Sequence, residues 1–346
     1  MNLLLTGSTG LIGQRIVRRL YQEGHKISLL VRPQSIYKAK EIFSGLNSLT
    51  FIEGDIEDKD VVKNIYTVSH LLNEIEGLIH LAAFYDLKAG LSEAYLKNVL
   101  GTQNIIHLMG KMNSLRHFHY FSSYAVNPIQ KGSVSENDLT QNDFLFEDHY
   151  SKTKNHAEHL VRKHTLSHVQ TVIHRPGIII GDSNSGLTTK YDGVYFFFDF
   201  VRLLKKMNIM KARISHLPML VHENAYLPVL PVDILTEWSC HIINHPPLEK
   251  LKTYHLVPSP AIRAKDFMEA SMTLLELPMK LFPLGQVKAI TPLLPLLKIP
   301  KEAAFYMNQF AYFDRSNFET DYPQLNCKEY TEYLPNIIKA YLEKEE

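Results

Sequence analysis

The chain has 346 residues, 45% of them hydrophobic and 21% charged, which suits a globular protein that buries a large core. A formal net charge of +1 gives no basic stripe, so nucleic acid is excluded as an expected partner. The two cysteines, Cys240 and Cys327, lie far apart and suggest neither a disulfide framework nor a zinc site, so no metal is expected and a reducing compartment fits.

The opening "MNLLLTGSTG" has an uncharged start and one short apolar run that reads as a strand, not as a signal peptide, and the cytoplasm is the expected location. "NLLLTG" is that strand, residues 11–23 read as a helix closed by Gly24, and "KISLLVR" is a second strand. "LTFIEGD", "GLIHLAA", "HFHYFSS" and "QTVIHRP" continue the series, with amphipathic stretches between most of them. This rhythm predicts an α/β fold, a doubly wound parallel sheet covered on both faces that binds ligands at the carboxyl ends of its strands.

After Gly181 the rhythm breaks down. "GVYFFFDFVRLLKKM" is aromatic and then basic, "LPVLPVDILTEW" reads as a strand leading into a helix, and "KTYHLVPS" as another strand. The C-terminal "KEYTEYLPNIIKAYLEKEE" is an amphipathic helix. The expected division is residues 1–180 as the nucleotide-binding domain and 181–346 mostly as a smaller substrate lobe, with some segments returning to the main sheet. No uncharged apolar stretch reaches the roughly 18 residues of a spanning helix. The nearest, 274–300, is cut by prolines and by Lys280, Lys288 and Lys298, and peripheral contact with a membrane surface is the most it suggests.

In "LLLTGSTGLIG", Gly7, Gly10 and Gly13 fall where the first strand meets the first helix. Glycines there let the backbone turn tightly, approach a pyrophosphate and pack helix against strand, with the helix N-terminus facing the phosphates. The expected cradle is Thr6, Gly7, Thr9, Gly10, Leu11, Ile12 and Gly13; a tight turn without a ligand is the alternative. Arg32 ends the second strand where an acidic residue would normally accept hydrogen bonds from an adenosine 2′-hydroxyl, and a cation there suits a 2′-phosphate. NADP(H) is therefore preferred and NAD(H) stays open, a solvated arginine being the alternative. Asp55, beside Ile56, closes the third strand and reads equally as an adenine contact or a turn cap.

"HYSKTKNHAEH" sets Tyr150 one helical turn before Lys154. A phenol with a pKa of about 10 is a poor proton shuttle at neutral pH unless a nearby ammonium stabilises its phenolate, and the lysine is placed to do that. The same spacing also occurs on plain helix faces. "FSSYAV" offers Ser122 and Ser123 at a strand end, as hydrogen-bond donors to a carbonyl or as turn caps. His117 and His119 alternate along a strand without completing a metal site, and "NHAEHLVRKH" reads as a polar helix face.

"TGSTGLIG", "HLAAFYD", "FSSYAV", "YSKTK" and "HRPGIIIGD" follow the order and approximate spacing of the extended short-chain dehydrogenase/reductases, which the chain resembles over most of its length. "HLAAFYDL", "NVLGT", "HRPGIIIGDSNSG" and "KYDGVYFFF" look most like the branch containing fatty acyl-CoA and thioester reductases. The resemblance implies a Rossmann-type sheet and a catalytic set of Ser123, Tyr150, Lys154 and Asn98. Lys154 would also hold the nicotinamide ribose, and Asn98 would steady the helix. Ala82 and Ala83 would let the cofactor pass close to the backbone, and Pro176, Gly177 and Ile178 would meet the nicotinamide carboxamide; packing is the alternative for each. A homodimer through helices flanking the fourth and fifth strands is also implied.

The expected reaction is hydride transfer between NADP(H) and a carbonyl or alcohol of a hydrophobic small molecule, acyl-thioester or lipid-like. The apolar segments after Gly181 either line its pocket or form the lobe's own core. The alternatives are a nucleotide-sugar epimerase or dehydratase, a hydroxysteroid-type dehydrogenase, and a non-enzymatic dinucleotide sensor.

Overall fold

The first strand, β1 (Asn2–Thr6), is apolar at successive positions because both of its faces are covered. Leu3 and Leu5 pack on one side with Leu29, Val31 and Ile79, while Leu4 packs on the other with Leu30, Leu78 and Phe118. In a computed structural model, which describes residues 1–63, 65–86, 90–128, 131–164, 166–207, 216–219, 221–283 and 310–344, this strand is central to a seven-stranded sheet. Its partners are β2 (Lys26–Val31), β3 (Thr50–Glu53), β4 (Gly77–His80), β5 (His117–Phe121), β7 (Gln170–Pro176) and β11 (Leu251–Leu256).

The strand order is β3-β2-β1-β4-β5-β7-β11, and the pairings from β3 across to β7 are parallel. At the far edge Thr171 N donates to Lys250 O and Gly177 N to Leu256 O, so β11 also runs parallel to β7. The chain winds outward from β1 in one direction and then from β4 in the other. The carboxyl ends of β1 and β4 therefore flank the switch point, the crevice where such sheets bind ligands.

Helix α1 (Leu11–Gln22) turns Gly13, Ile16, Val17 and Leu20 inward, one stripe of a helix period, and Gly24 at φ +83° lets the chain leave it. Helices α2 (Ile36–Ile42), α3 (Ile65–Glu74), α4 (Leu91–Tyr95) and α5 (Gly101–Met109) follow, with a π-helical turn at Leu96–Leu100 between the last two. Helix α6 (His149–Lys163) begins at Asp148, whose carboxylate accepts from Ser151 N at 2.8 Å and from Ser151 Oγ at 2.9 Å.

Contacts divide the chain into two compact units. The first comprises Met1–Pro128, Asn137–Pro176 and Leu235–His255 and holds the large sheet with most of α8 (Val232–Asn244). The second comprises Ile129–Glu136, Gly177–Ile234 and Leu256–Glu346. Among the described residues it contains three two-stranded parallel ladders: β6 (Lys131–Val134) with β13 (Phe310–Phe313), β8 (Ile178–Ile180) with β10 (Val229–Pro231), and β9 (His216–Met219) with β12 (Lys280–Pro283). Its core gathers α7 (Tyr195–Lys206), α9 (Ala264–Leu274) and the C-terminal helix Tyr330–Glu343. The aromatic run at the start of α7 belongs to this core, with Tyr195 and Phe198 fully buried and Phe197 and Phe200 nearly so. The segment 274–300 is described to residue 283; residues 284–300 lie outside the described residues.

The stretch "NHAEHLVRKH" departs from the expected polar helix face, because Asn155, Ala157, Glu158 and Val161 point into the first unit. A buried carboxylate is tolerable only with charged partners. Arg175 on β7 supplies them with both arms of its fork, Nη2 to Glu158 Oε1 at 2.6 Å and Nε to Oε2 at 3.1 Å. Arg162 adds a bond at 2.9 Å and Ser122 another at 2.6 Å. Burial alone would raise the Glu158 carboxyl, but the Arg175 charge, these bonds and Arg162 outweigh it and hold it at about 2.

That value lies below the ordinary 4.5, so this contribution to stability is complete above pH 4.5 and is lost as pH falls toward 2. Arg175→Met, which leaves Glu158 buried with its main partner gone, is expected to cost about 3–5 kcal/mol. Arg175→Met combined with Glu158→Leu is expected to recover most of that loss and to flatten the acid limb. Urea midpoints measured from pH 7 down to pH 3 check both.

Candidate active site

Gly7 has φ +72°, and a Cβ there would lie 2.6 Å from Ala82 N, so the loop after β1 rests directly on the loop after β4. Ala82 N also donates to Thr6 Oγ1 at 3.1 Å. A Cβ on Gly13 would lie 2.3 Å from Gly7 O, and Gly10 N closes the turn onto that same oxygen at 3.2 Å. Gln14 Nε2 holds Thr9 O at 2.8 Å. No side chain caps α1 at Gly10, so the first-turn N–H groups of Leu11, Ile12 and Gly13, which have no intrahelical acceptor, suit an anion. Ser8 Oγ is buried in the same loop without a hydrogen-bond partner among the described residues. A glycine-shaped cradle, an uncapped helix start and an unmatched hydroxyl fit a dinucleotide pyrophosphate.

At the carboxyl end of β5 the two serines part company. Ser122 is committed to Glu158 and its N–H to His174 O at 2.7 Å. Ser123 starts a short 3₁₀ turn, its Oγ accepting from Ala125 N at 3.2 Å, which uses the oxygen as acceptor and leaves the O–H as a donor. Tyr150 is the second residue of α6, and its ring meets Tyr85 edge-on at 4.8 Å. One turn later Lys154 is almost fully buried, with Nζ donating to Phe121 O at 2.6 Å and lying 4.5 Å from the centre of the Tyr120 ring. Burial pushes its ammonium down to about 7, against the opposing pull of Glu158.

Asn98 sits in the π-helical turn and is buried. Its Oδ1 accepts from Phe84 N at 2.7 Å, and its Nδ2 donates to Phe84 O at 3.1 Å and to Thr153 Oγ1 at 3.0 Å. It thus ties the loop after β4 to α6 at the residue preceding Lys154. Thr153, Glu158 and Arg175 lie within quoted stretches of the sequence but were not singled out from it. Their only signal there is polarity at positions where a helix or strand turns inward.

The remaining expected positions scatter more. Ala82 is half-buried against the glycine loop, while Ala83 is exposed. Arg32 is exposed at the end of β2 and starts a 3₁₀ turn, with Ser35 N bonded to its carbonyl. Asp55 Oδ1 accepts from Glu57 N at 3.1 Å, the turn role, and Ile56 O is held by Asn104 at 2.9 Å. The division between the units falls between Pro176 and Gly177. Gly177 N and Ile178 N donate to Leu256 O and Pro228 O, so both N–H groups are committed to the fold. His119 Nδ1 lies 3.0 Å from His174 Nε2 and His117 Nδ1 lies 3.1 Å from Gln170, so these histidines serve neighbouring strands. Among the described residues no group of three or more His, Cys, Asp or Glu is placed to hold a metal.

The sheet, its switch-point cradle and the residues at the ends of β4 and β5 define a dinucleotide-binding Rossmann protein. The chain belongs to the NAD-binding family described as "Male sterility protein", whose model matches residues 5–238. It is similar to sterol demethylase protein B of Methylococcus capsulatus, 29% identical over 52% of each chain. It is also similar to the nonribosomal peptide synthetase asaC of Aspergillus flavus, 25% identical over 73% of this chain and 26% of that one. The chain thus spans about half the length of the first relative and a quarter of the second. Its fold matches the terminal R domain from the myxalamid PKS-NRPS biosynthetic pathway with a TM-score of 0.79, at 21% identity over 99% of this chain and 90% of that one. Fold and family are those of an NAD-binding Rossmann protein.

Gly13→Ala puts a methyl group into backbone atoms that have no room to yield. The variant is expected to lose at least about tenfold in dinucleotide affinity, the cost of displacing a close-packed loop by a kcal/mol or more, while the circular dichroism of the sheet is retained. Titration of the nicotinamide fluorescence of NADPH checks it.

Proposed function

We propose that the chain is an NADP(H)-dependent reductase of a carbonyl on a hydrophobic small molecule, acyl-thioester or lipid-like. The observation that carries it is the division of labour at β5 and α6: Ser122 is tied down by Glu158, Ser123 keeps a donor, and Tyr150 and Lys154 follow on one helix. A reduced dinucleotide held by the cradle of residues 6–13 would supply the hydride needed at the carbonyl carbon. Ser123 O–H donates to the carbonyl oxygen and orients it. Tyr150 hands its phenolic proton to that oxygen as negative charge builds there, and the Lys154 ammonium stabilises the phenolate left behind. Asn98 acts through Thr153, fixing the turn of α6 that carries both groups.

The preference for NADP(H) rests on Arg32, exposed where a 2′-phosphate would sit. The acyl-thioester class is supported by the likeness to an R domain and to a peptide synthetase. A hydroxysteroid-type alcohol is the second reading, favoured by the sterol-named relative. No helix among the described residues is long and apolar enough to cross a membrane. Peripheral membrane contact through 274–300 and a homodimer are further parts of the proposal, read by vesicle sedimentation and by size-exclusion chromatography.

The deciding assay follows NADPH and NADH oxidation with a long-chain acyl-CoA, a hydrophobic ketone and a UDP-sugar. Acyl-CoA or ketone turnover that falls about 10²- to 10⁴-fold in Tyr150→Phe is expected. A preference for NADPH that inverts in Arg32→Asp is expected alongside it. Conversion of the UDP-sugar without net cofactor consumption would instead make the protein an epimerase.

Lys154 adds a pH signature. Its value of about 7 lies below the ordinary 10.5, so between these the unfolded chain holds more protons and wild-type stability rises with pH. In Lys154→Met that rise is expected to vanish, and the difference in stability moves against the variant as pH climbs from about 7 to 10.5. Denaturant midpoints across that range check the trend.

A further inference from the structure

His80 ends β4 with its side chain fully buried, a costly place for an imidazole unless both nitrogens are matched. They are. Nδ1 lies 2.7 Å from Thr6 Oγ1 and Nε2 lies 3.2 Å from Thr102 Oγ1. The Thr102 hydroxyl has one proton, and it goes to Asn98 O at 2.7 Å, so toward His80 it accepts. Nε2 therefore carries the imidazole proton, Nδ1 is the acceptor, and the Thr6 hydroxyl donates to it while accepting from Ala82 N. Burial and then the Lys154 charge hold the ring neutral, its value lowered to about 3.

A single tautomer thus closes a chain of directed hydrogen bonds. It begins at Ala82, against which Gly7 is packed, and passes through Thr6, His80 and Thr102 to the Asn98 carbonyl. The Asn98 side chain continues it to Thr153 on α6. The π-helical turn, in which Gly101 N reaches back to Leu96 O, surrounds Asn98, and such turns often mark functional positions.

Building on the dinucleotide reading above, we infer that His80 is a positioning residue that couples the glycine loop to the helix bearing Tyr150 and Lys154. Filling of the loop by a dinucleotide steadies Thr6 and Ala82, and the fixed hydrogen bonds pass that order to Asn98 and α6. His80 touches no reacting atom in this account.

Hydrogen–deuterium exchange at saturating NADP(H), compared with the free protein, tests the coupling without any substrate. In the wild type, protection is expected in residues 6–13 and in α6. In His80→Leu the loop keeps its protection, while the dinucleotide-dependent slowing at α6 falls about fivefold or more, a coupling of ordinary size. Thr102→Val, nearly isosteric and leaving His80 in place, is expected to do the same by cutting the next bond, and it serves if His80→Leu does not fold. A side chain that only stabilises the sheet would lower the melting temperature and leave the loop and α6 protected in proportion. Wild-type protection of α6 in either folded variant overturns the inference. Absence of any loop protection in the wild type overturns the dinucleotide reading itself, and the inference falls with it.

Discussion

Glu158 is fully buried and ionised, and the arrangement of the first unit follows from the need to satisfy it. Arg175 meets it with a two-armed fork from β7, which fixes the distance and rotation of α6 against the sheet. Ser122 spends its proton on the same carboxylate, so the two serines at the end of β5 cease to be equivalent and Ser123 is left to donate elsewhere. Lys154 lies on the same helix, one turn before Glu158, and the carboxylate is the charge that opposes its loss of a proton. One buried ion pair thus selects the serine, seats the helix and keeps an ammonium in a place that would otherwise neutralise it.

That ammonium is costly. An almost fully buried lysine held by the Phe121 carbonyl and the face of Tyr120 is less stable charged than it would be in water. A charge maintained against burial at the end of β5 is the kind of local instability that accompanies chemistry, because the same low dielectric that penalises the lysine magnifies its effect on a neighbouring phenolate. The Asn98 contacts and the π-helical turn lie on the opposite side of α6 from Glu158 in sequence order, so the helix is gripped before and after the lysine.

The elements that were legible in the sequence are those whose causes are local. The apolar run of β1, the glycine spacing after it and the helix stripe ending at Gly24 each state their own structure, and the parallel sheet follows from their alternation. The family resemblance prefers Ser123 to Ser122, but the physical reason for the preference, Glu158, lies in a stretch that reads as a polar helix face. Its partner Arg175 stands on another strand, and a pairing across that separation leaves no periodic trace. His80 was hidden for a related reason: within "GLIHLAA" it occupies a position whose burial is plain, while the threonines that make the burial tolerable come from β1 and α5. Of the two readings open for the aromatic run "GVYFFFDF", pocket lining or core, the buried residues at the start of α7 take the second, packing within the second unit.

This last point changes where the argument for the substrate lies. If the phenylalanines of α7 are core, the apolar character of the second half of the chain says little about what is bound. The weight moves to the first unit, where Ser123 and Lys154 are nearly inaccessible and Tyr150 is flanked by the ring of Tyr85. Donors withdrawn from water in this way act strongly on a developing oxyanion and offer little to a heavily hydrated or multiply charged group. A carbonyl at the end of an apolar chain can enter such a site with small desolvation cost, whereas a sugar diphosphate would need cationic partners beside it. The chemistry of the donors, more than the hydrophobicity of the second unit, therefore favours a reductase of uncharged carbonyls.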